Sequence, residues 1–124
     1  MTDLYRTEII EAYRQPSYRG KLPHPDITKT LSNHSCGDKI TVYITQEGTR
    51  IKEIVYNGSL CAIASYGAEL MSSHLASRDL QDIHSINPYQ LIDTNSFPID
   101  KNPIRSRCFL LMHNALMAPS RDSK

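Results

Sequence analysis

The chain has 124 residues, a length that fits one domain able to bury a core without disulfide staples. Hydrophobic residues make up 40% and charged residues 22%, a balance that argues against wholesale disorder. The formal net charge is +1, so neither nucleic acid nor an anionic membrane is expected as a partner.

Asp3 to Gln15 reads as an amphipathic helix, with Tyr5, Ile9 and Tyr13 recurring every four residues and Pro16 as its stop. The stretch from Ser17 to Asp26 holds Gly20, Pro23 and Pro25 and is expected to connect. Ile40, Val42 and Ile44 alternate with Thr41, Tyr43 and Thr45, the pattern of a half-buried strand. Gln46-Glu47-Gly48 supplies a turn, and Arg50 to Tyr56 returns as a second strand that Asn57-Gly58 should end. Ile27 to Asn33 pairs with these as a third.

Helices follow. Cys61 to Leu75 places Ile63, Gly67, Leu70, Met71 and His74 on one side, and a short helix is expected near Asp79 to Ser85. Asn87 to Pro103 reads as loop with one helical turn near Tyr89 to Ile92. Ile104 to Met117 forms the last helix, with Ile104, Cys108, Leu111 and Ala115 along one stripe. The expected fold is therefore α+β: a three-stranded antiparallel sheet, helices packed on one face. Residues 1–118 form the single domain and 119–124 a mobile tail. The segment from Leu60 to Leu75 is too often interrupted by polar residues to span a membrane. No basic-then-apolar leader opens the chain, so the expected location is cytoplasmic.

Three cysteines are an odd number, and no Cys-x-x-Cys pair exists, which excludes a zinc ribbon or finger. Cys36 lies in the polar loop Asn33-His34-Ser35-Cys36-Gly37-Asp38, with a carboxylate two residues away. Cys61 stands where a strand feeds a helix, a place that favours thiolate. Cys108 follows Arg105 and Arg107, whose charges favour the same form. Brought together, Cys36, Asp38, Cys61 and Cys108 make a four-ligand set for Zn²⁺ or for the iron of a cluster. Inert core cysteines are the alternative that spacing leaves open. His34 could replace Asp38 or assist a proton transfer, but a solvated loop histidine is the simpler reading. His74 reads as a core histidine, and His24, His84 and His113 have no evident partner. Lys39, Arg105 and Arg107 would offset the net negative charge of three thiolates and a carboxylate around one divalent ion. A solvated helix face is the plainer account of the arginines.

In order along the chain, these contexts resemble the iron–sulfur assembly scaffolds that include the NifU amino-terminal domain, IscU and SufU, nearest the SufU branch. The resemblance rests on Leu4-Tyr5-Arg6, on Tyr13 and Pro16 with Gly20-Lys21-Leu22, and on Cys36-Gly37-Asp38-Lys39-Ile40. It extends to Cys61-Ala62-Ile63-Ala64-Ser65 and to Arg105-Ser106-Arg107-Cys108. It implies a scaffold that receives sulfur from a cysteine desulfurase, with Cys36 and Cys108 as candidate persulfide acceptors. A transient [2Fe–2S] cluster or Zn²⁺ would sit on the three cysteines and Asp38, with Arg105 as a supporting residue. Downstream apo-proteins would be the cluster acceptors. Two other readings remain: a zinc-dependent sulfurtransferase that relays persulfide, and a structural zinc module. The chain departs from the family pattern at Leu60, where glycine is usual, and at Arg107, where the IscU branch has histidine. It lacks the Leu-Pro-Pro-Val-Lys stretch that IscU proteins offer a chaperone. Arg78 to Ile104 is also shorter than the SufU segment between the second and third cysteines.

Overall fold

A computed structural model of the protein describes residues 3–33 and 37–118. The expected tail, residues 119–124, lies outside the described residues, as do His34 and Cys36.

Helix α1 spans Asp3–Arg14, and strands β1 (Ile27–Asn33), β2 (Asp38–Glu47) and β3 (Arg50–Ser59) follow. The strands form one antiparallel sheet in the order β1-β2-β3. On β2, Asp38, Ile40, Val42 and Ile44 turn to the buried side and their neighbours outward, as a period of two requires. β3 breaks that period. Ile51 and Ile54 are both buried although three residues apart, because Gln46 pairs with Ile51 while Thr45 pairs with Glu53. Lys52 is thus the extra residue of a β-bulge, which shifts the alternation by one and returns Ile54 and Tyr56 to the core face.

The sheet runs past its expected end, through Asn57 and Gly58 to Ser59. Gly58 takes φ of +138°, and a Cβ there would stand 2.0 Å from the Lys39 carbonyl oxygen. Only glycine permits that approach, so a residue that reads as a strand breaker instead lets two strands close.

Helix α2 (Ala62–Leu75) crosses one face of the sheet, followed by α3 (Asp82–Ser85), two single 3-10 turns at Pro88–Leu91 and Ile99–Lys101, α4 (Pro103–Phe109) and α5 (Leu111–Met117). α5 packs on β1 and β2, while α2 packs on β3 and carries α1, α4 and α5 against it. The buried side of α2 is Ala64, Ala68, Met71 and Leu75 with Gly67; His74 lies only partly buried, away from the core face expected of it. The expected single helix after Ile104 is two, separated at Leu110, where ψ near 4° interrupts the ladder. Ile104, in the first turn of α4, is 61% exposed, while Cys108, Leu111 and Ala115 stay inside.

The main core joins the sheet's inner face to α2 and α5. A smaller aromatic cluster of Ile9, Tyr66, Phe97, Ile99 and Phe109 fills the space beneath α1. Glu69 fastens the segment after α1 to both: its carboxylate accepts from the backbone N–H of Ser17 (2.8 Å) and Tyr18 (3.0 Å) and from the Tyr56 hydroxyl (2.7 Å).

Candidate metal centre

Asp38 opens β2, Cys61 stands just before α2, and Cys108 lies within α4. Three turns of chain from distant parts of the sequence therefore meet at one end of the sheet. A carboxylate oxygen of Asp38 and the two sulfurs all lie within 4.8 Å of one another. Ligand atoms around a tetrahedral zinc sit about 3.7 Å apart, given bonds of about 2.3 Å to sulfur. A contraction of at most about 1 Å would close this triad on an ion.

Each side chain is placed by local physics. Asp38 pairs across the sheet with Asn33, and the Gly37 N–H donates to the Asn33 carbonyl (2.9 Å), closing the loop that contains Cys36. Gly37 adopts φ of +76°, the left-handed conformation this turn needs. Cys61 is the N-cap of α2, and its sulfur accepts from the Ala64 N–H at 3.4 Å. α4 is started by Asn102, whose Oδ1 accepts from the N–H groups of Ile104 and Arg105, with Pro103 in the first turn. That start sets the rotation of the helix, which aims Cys108 inward.

Burial divides the triad. Asp38 is 6% and Cys108 5% exposed, whereas Cys61 is partly open to solvent. Asp38 Oδ2 is buried without a hydrogen-bond partner. A desolvated, unpartnered oxygen on a carboxylate that lies this close to two sulfurs is costly unless a cation is bound there. This orphaned atom, together with the soft sulfur donors, is the donor chemistry a zinc or ferrous ion accepts.

The Cys61 thiol is pushed up, not down as its helix position suggested. Burial raises it most, and the Asp38 carboxylate adds to the rise. The Ala64 N–H and the Cys108 side chain pull the other way and do not prevail. The helix terminus thus acts on Cys61 as expected, but desolvation outweighs it. Lys39 lies on the strand face opposite Asp38, lining an exposed groove with Lys21, Tyr43 and Asn57. Arg105 and Arg107 are exposed on α4.

Of the four expected ligands, three are brought together, and Cys36 lies outside the described residues. Two residues of the site had no signal of their own in the sequence. Asn33 directs its Nδ2 at the Cys108 sulfur (4.0 Å), and Gly67 lets α4 approach α2, since a Cβ there would stand 2.2 Å from the Phe109 carbonyl oxygen. The register of the β1–β2 hairpin would have pointed to Asn33, because it faces Asp38 across the turn.

Comparison with known proteins agrees with this geometry. The NifU-like N-terminal domain family matches residues 4–118. The iron–sulfur cluster assembly scaffold protein IscU of Thermotoga maritima is 29% identical over 83 residues, covering 67% of this chain and 58% of its own length. The zinc-dependent sulfurtransferase SufU of Bacillus subtilis is 26% identical over 84 residues, covering 68% of this chain and 56% of its own. The aligned region thus spans little more than half of each of these relatives. Among solved structures, a protein ascribed to the SUF system as a cluster assembly scaffold, from Fervidobacterium islandicum, superposes with a TM-score of 0.75. It shares 21% identity and covers 89% of this chain and 91% of its own. A NifU-like N-terminal protein from Brucella abortus gives a TM-score of 0.75 at 18% identity, over 92% of this chain and 90% of its own. With the family matched along nearly the whole sequence and the fold shared, this chain is a member of the NifU-like N-terminal domain family, whose relatives include the IscU and SufU proteins of iron–sulfur cluster assembly.

Proposed function

We propose that this protein is a scaffold for iron–sulfur cluster assembly that receives sulfur from a cysteine desulfurase. It holds a transient [2Fe–2S] cluster, or a metal ion, on Cys36, Asp38, Cys61 and Cys108. The convergence of Asp38, Cys61 and Cys108 within 4.8 Å carries the reading. Cys36 supplies the remaining ligand from the loop that Asn33 and Gly37 close beside Asp38.

Sulfur arrives as a persulfide on the desulfurase. A thiolate here, at Cys36 or Cys108, attacks the terminal sulfur; a new S–S bond forms, and the desulfurase cysteine leaves as thiolate. That step is redox-neutral. Building sulfide from the transferred sulfur takes two electrons per atom, supplied by an external electron donor, with ferrous iron as the other substrate. Asp38 is the weakest ligand for a soft site and the first to yield when the cluster passes to an acceptor apo-protein. No helix among the described residues is long and apolar enough to cross a membrane.

The similarity to a zinc-dependent sulfurtransferase, together with Arg105-Ser106-Arg107-Cys108, supports a second reading in which Zn²⁺ is resident and the chain only relays persulfide. One experiment separates them. The protein is purified anaerobically, its metal is measured, and it is incubated with desulfurase, cysteine, ferrous iron and reductant while visible absorption is followed. A scaffold develops the charge-transfer bands of a [2Fe–2S] cluster, and Cys61→Ser abolishes them. Bound zinc, persulfide on the protein and no coloured cluster would establish the relay instead.

A further inference from the structure

Asn33 meets Asp38, Gly37 and Cys108 without being one of the ligands. Its backbone pairs with Asp38, its carbonyl accepts from Gly37 to close the Cys36 loop, and its side-chain amide points at Cys108. The last contact joins residues 75 apart in sequence, with Nδ2 4.0 Å from Sγ. α4 packs mainly against α2 and the 3-10 turn at Ile99–Lys101, and the Asn33–Cys108 contact joins the strand that leads into the Cys36 loop to the helix bearing Cys108.

We propose that Asn33 is a positioning residue of the centre, whose amide N–H donates to the Cys108 sulfur, fixes its direction and strengthens the site's hold on its metal. The inference rests on the metal-site reading above. A donor aimed at a thiolate sulfur stabilises its lone pairs, and outer-shell donors of this kind typically govern metal affinity by a factor of about 10 to 100. The amide must present its NH₂ group to sulfur, because the carbonyl end would be repelled by a thiolate. Asparagine also suits the place: half-buried at a strand end, it serves the turn through its backbone while its side-chain amide reaches Cys108.

Two substitutions test the role. Asn33→Ala removes the amide, and Asn33→Leu removes it while retaining its volume. In protein loaded with Co²⁺ the sulfur-to-metal charge-transfer band should move to lower energy in both variants, because the sulfur lone pairs lose a donor. The zinc dissociation constant, measured by chelator competition, should rise about tenfold. A purely structural residue would leave the band in place and would be rescued by leucine. The metal-free protein tests the contact separately: in ¹⁵N-labelled chain the Asn33 side-chain amide resonances should shift on Cys108→Ala. An unmoved amide overturns the proposal, as do native folds by circular dichroism with unchanged zinc affinity and cobalt spectrum. Wild type that takes up no metal while the amide still reports Cys108 upholds the contact and removes the metal-site reading instead.

Discussion

Gly67 of α2 lies against the backbone of Phe109 in α4, so that a Cβ on Gly67 would stand 2.2 Å from the Phe109 carbonyl oxygen and 3.3 Å from its ring. Phe109 is the neighbour of Cys108, and Cys61 sits at the head of the helix carrying Gly67. The spacing of two ligands is therefore set by a missing methyl group. Gly67→Ala must push the helices apart, at a cost of about 1–3 kcal/mol of stability. We expect a lower thermal midpoint in the metal-free protein and, by chelator competition, weaker zinc binding. A variant with native zinc affinity would show that α4 placement does not control the site.

Asp38 offers the opposite trade. Its buried Oδ2 has no partner, so the carboxylate costs stability in the absence of a cation. Asp38→Ala should raise the stability of the metal-free protein by about 1–3 kcal/mol in urea titrations. Added zinc, which stabilises wild type by about 2.7 kcal/mol at a hundredfold excess over its dissociation constant, should then gain little. Metal-free Asp38→Ala unfolding at lower urea than wild type would sink this account.

Tyr56 predicts an alkaline limit. Its phenol is held above its usual range, first by burial, then by the hydrogen bond to Glu69 and the charge of that carboxylate, with Arg19 opposing. The folded state therefore keeps this proton where the unfolded chain releases it. The stabilisation is complete below about pH 10 and is lost as pH rises above it, with a limiting slope of about 1.4 kcal/mol per pH unit. Tyr56→Phe should remove that part of the slope, seen by comparing urea midpoints of the two proteins between pH 9 and pH 11 (roughly one unit either side of the ordinary phenol value). Parallel curves would assign the alkaline loss to other groups.

Gly58 guards the same end of the sheet. With φ at +138° and Lys39 so near, Gly58→Ala combines backbone strain with a clash, together about 2–4 kcal/mol. Because Gly58 pairs with Ile40 between Asp38 and Cys61, the loss should appear both as a lower urea midpoint and as weaker zinc binding. Substitution at Gly20, where a Cβ meets nothing within 4 Å, serves as the tolerant control.

Much of this is legible in the sequence alone. The alternation of Ile40, Val42 and Ile44 defines β2 and its buried face, and the Cys-Gly-Asp run marks the ligand loop. The bulge at Lys52 was not legible, because an extra residue on one strand shows only against its partner. Nor was the break at Leu110. The periodicity of Ile104 to Met117 suits one helix, and the interruption comes where α4 presses on Gly67. The Cys61 thiol was misjudged for a related reason: its place at a helix start is local, whereas its burial and the nearness of Asp38 are not.

Local periodicity and short motifs thus determined the elements, their order and the side chains with ligand chemistry, because each depends on residues a few positions apart. Only the tertiary structure decided that Asp38, Cys61 and Cys108 meet, that Asn33 reaches the last of them, and that two glycines set the clearances. Those relations join parts of the chain dozens of residues apart, and it is the packing of α2 on the sheet and of α4 on α2 that brings them close.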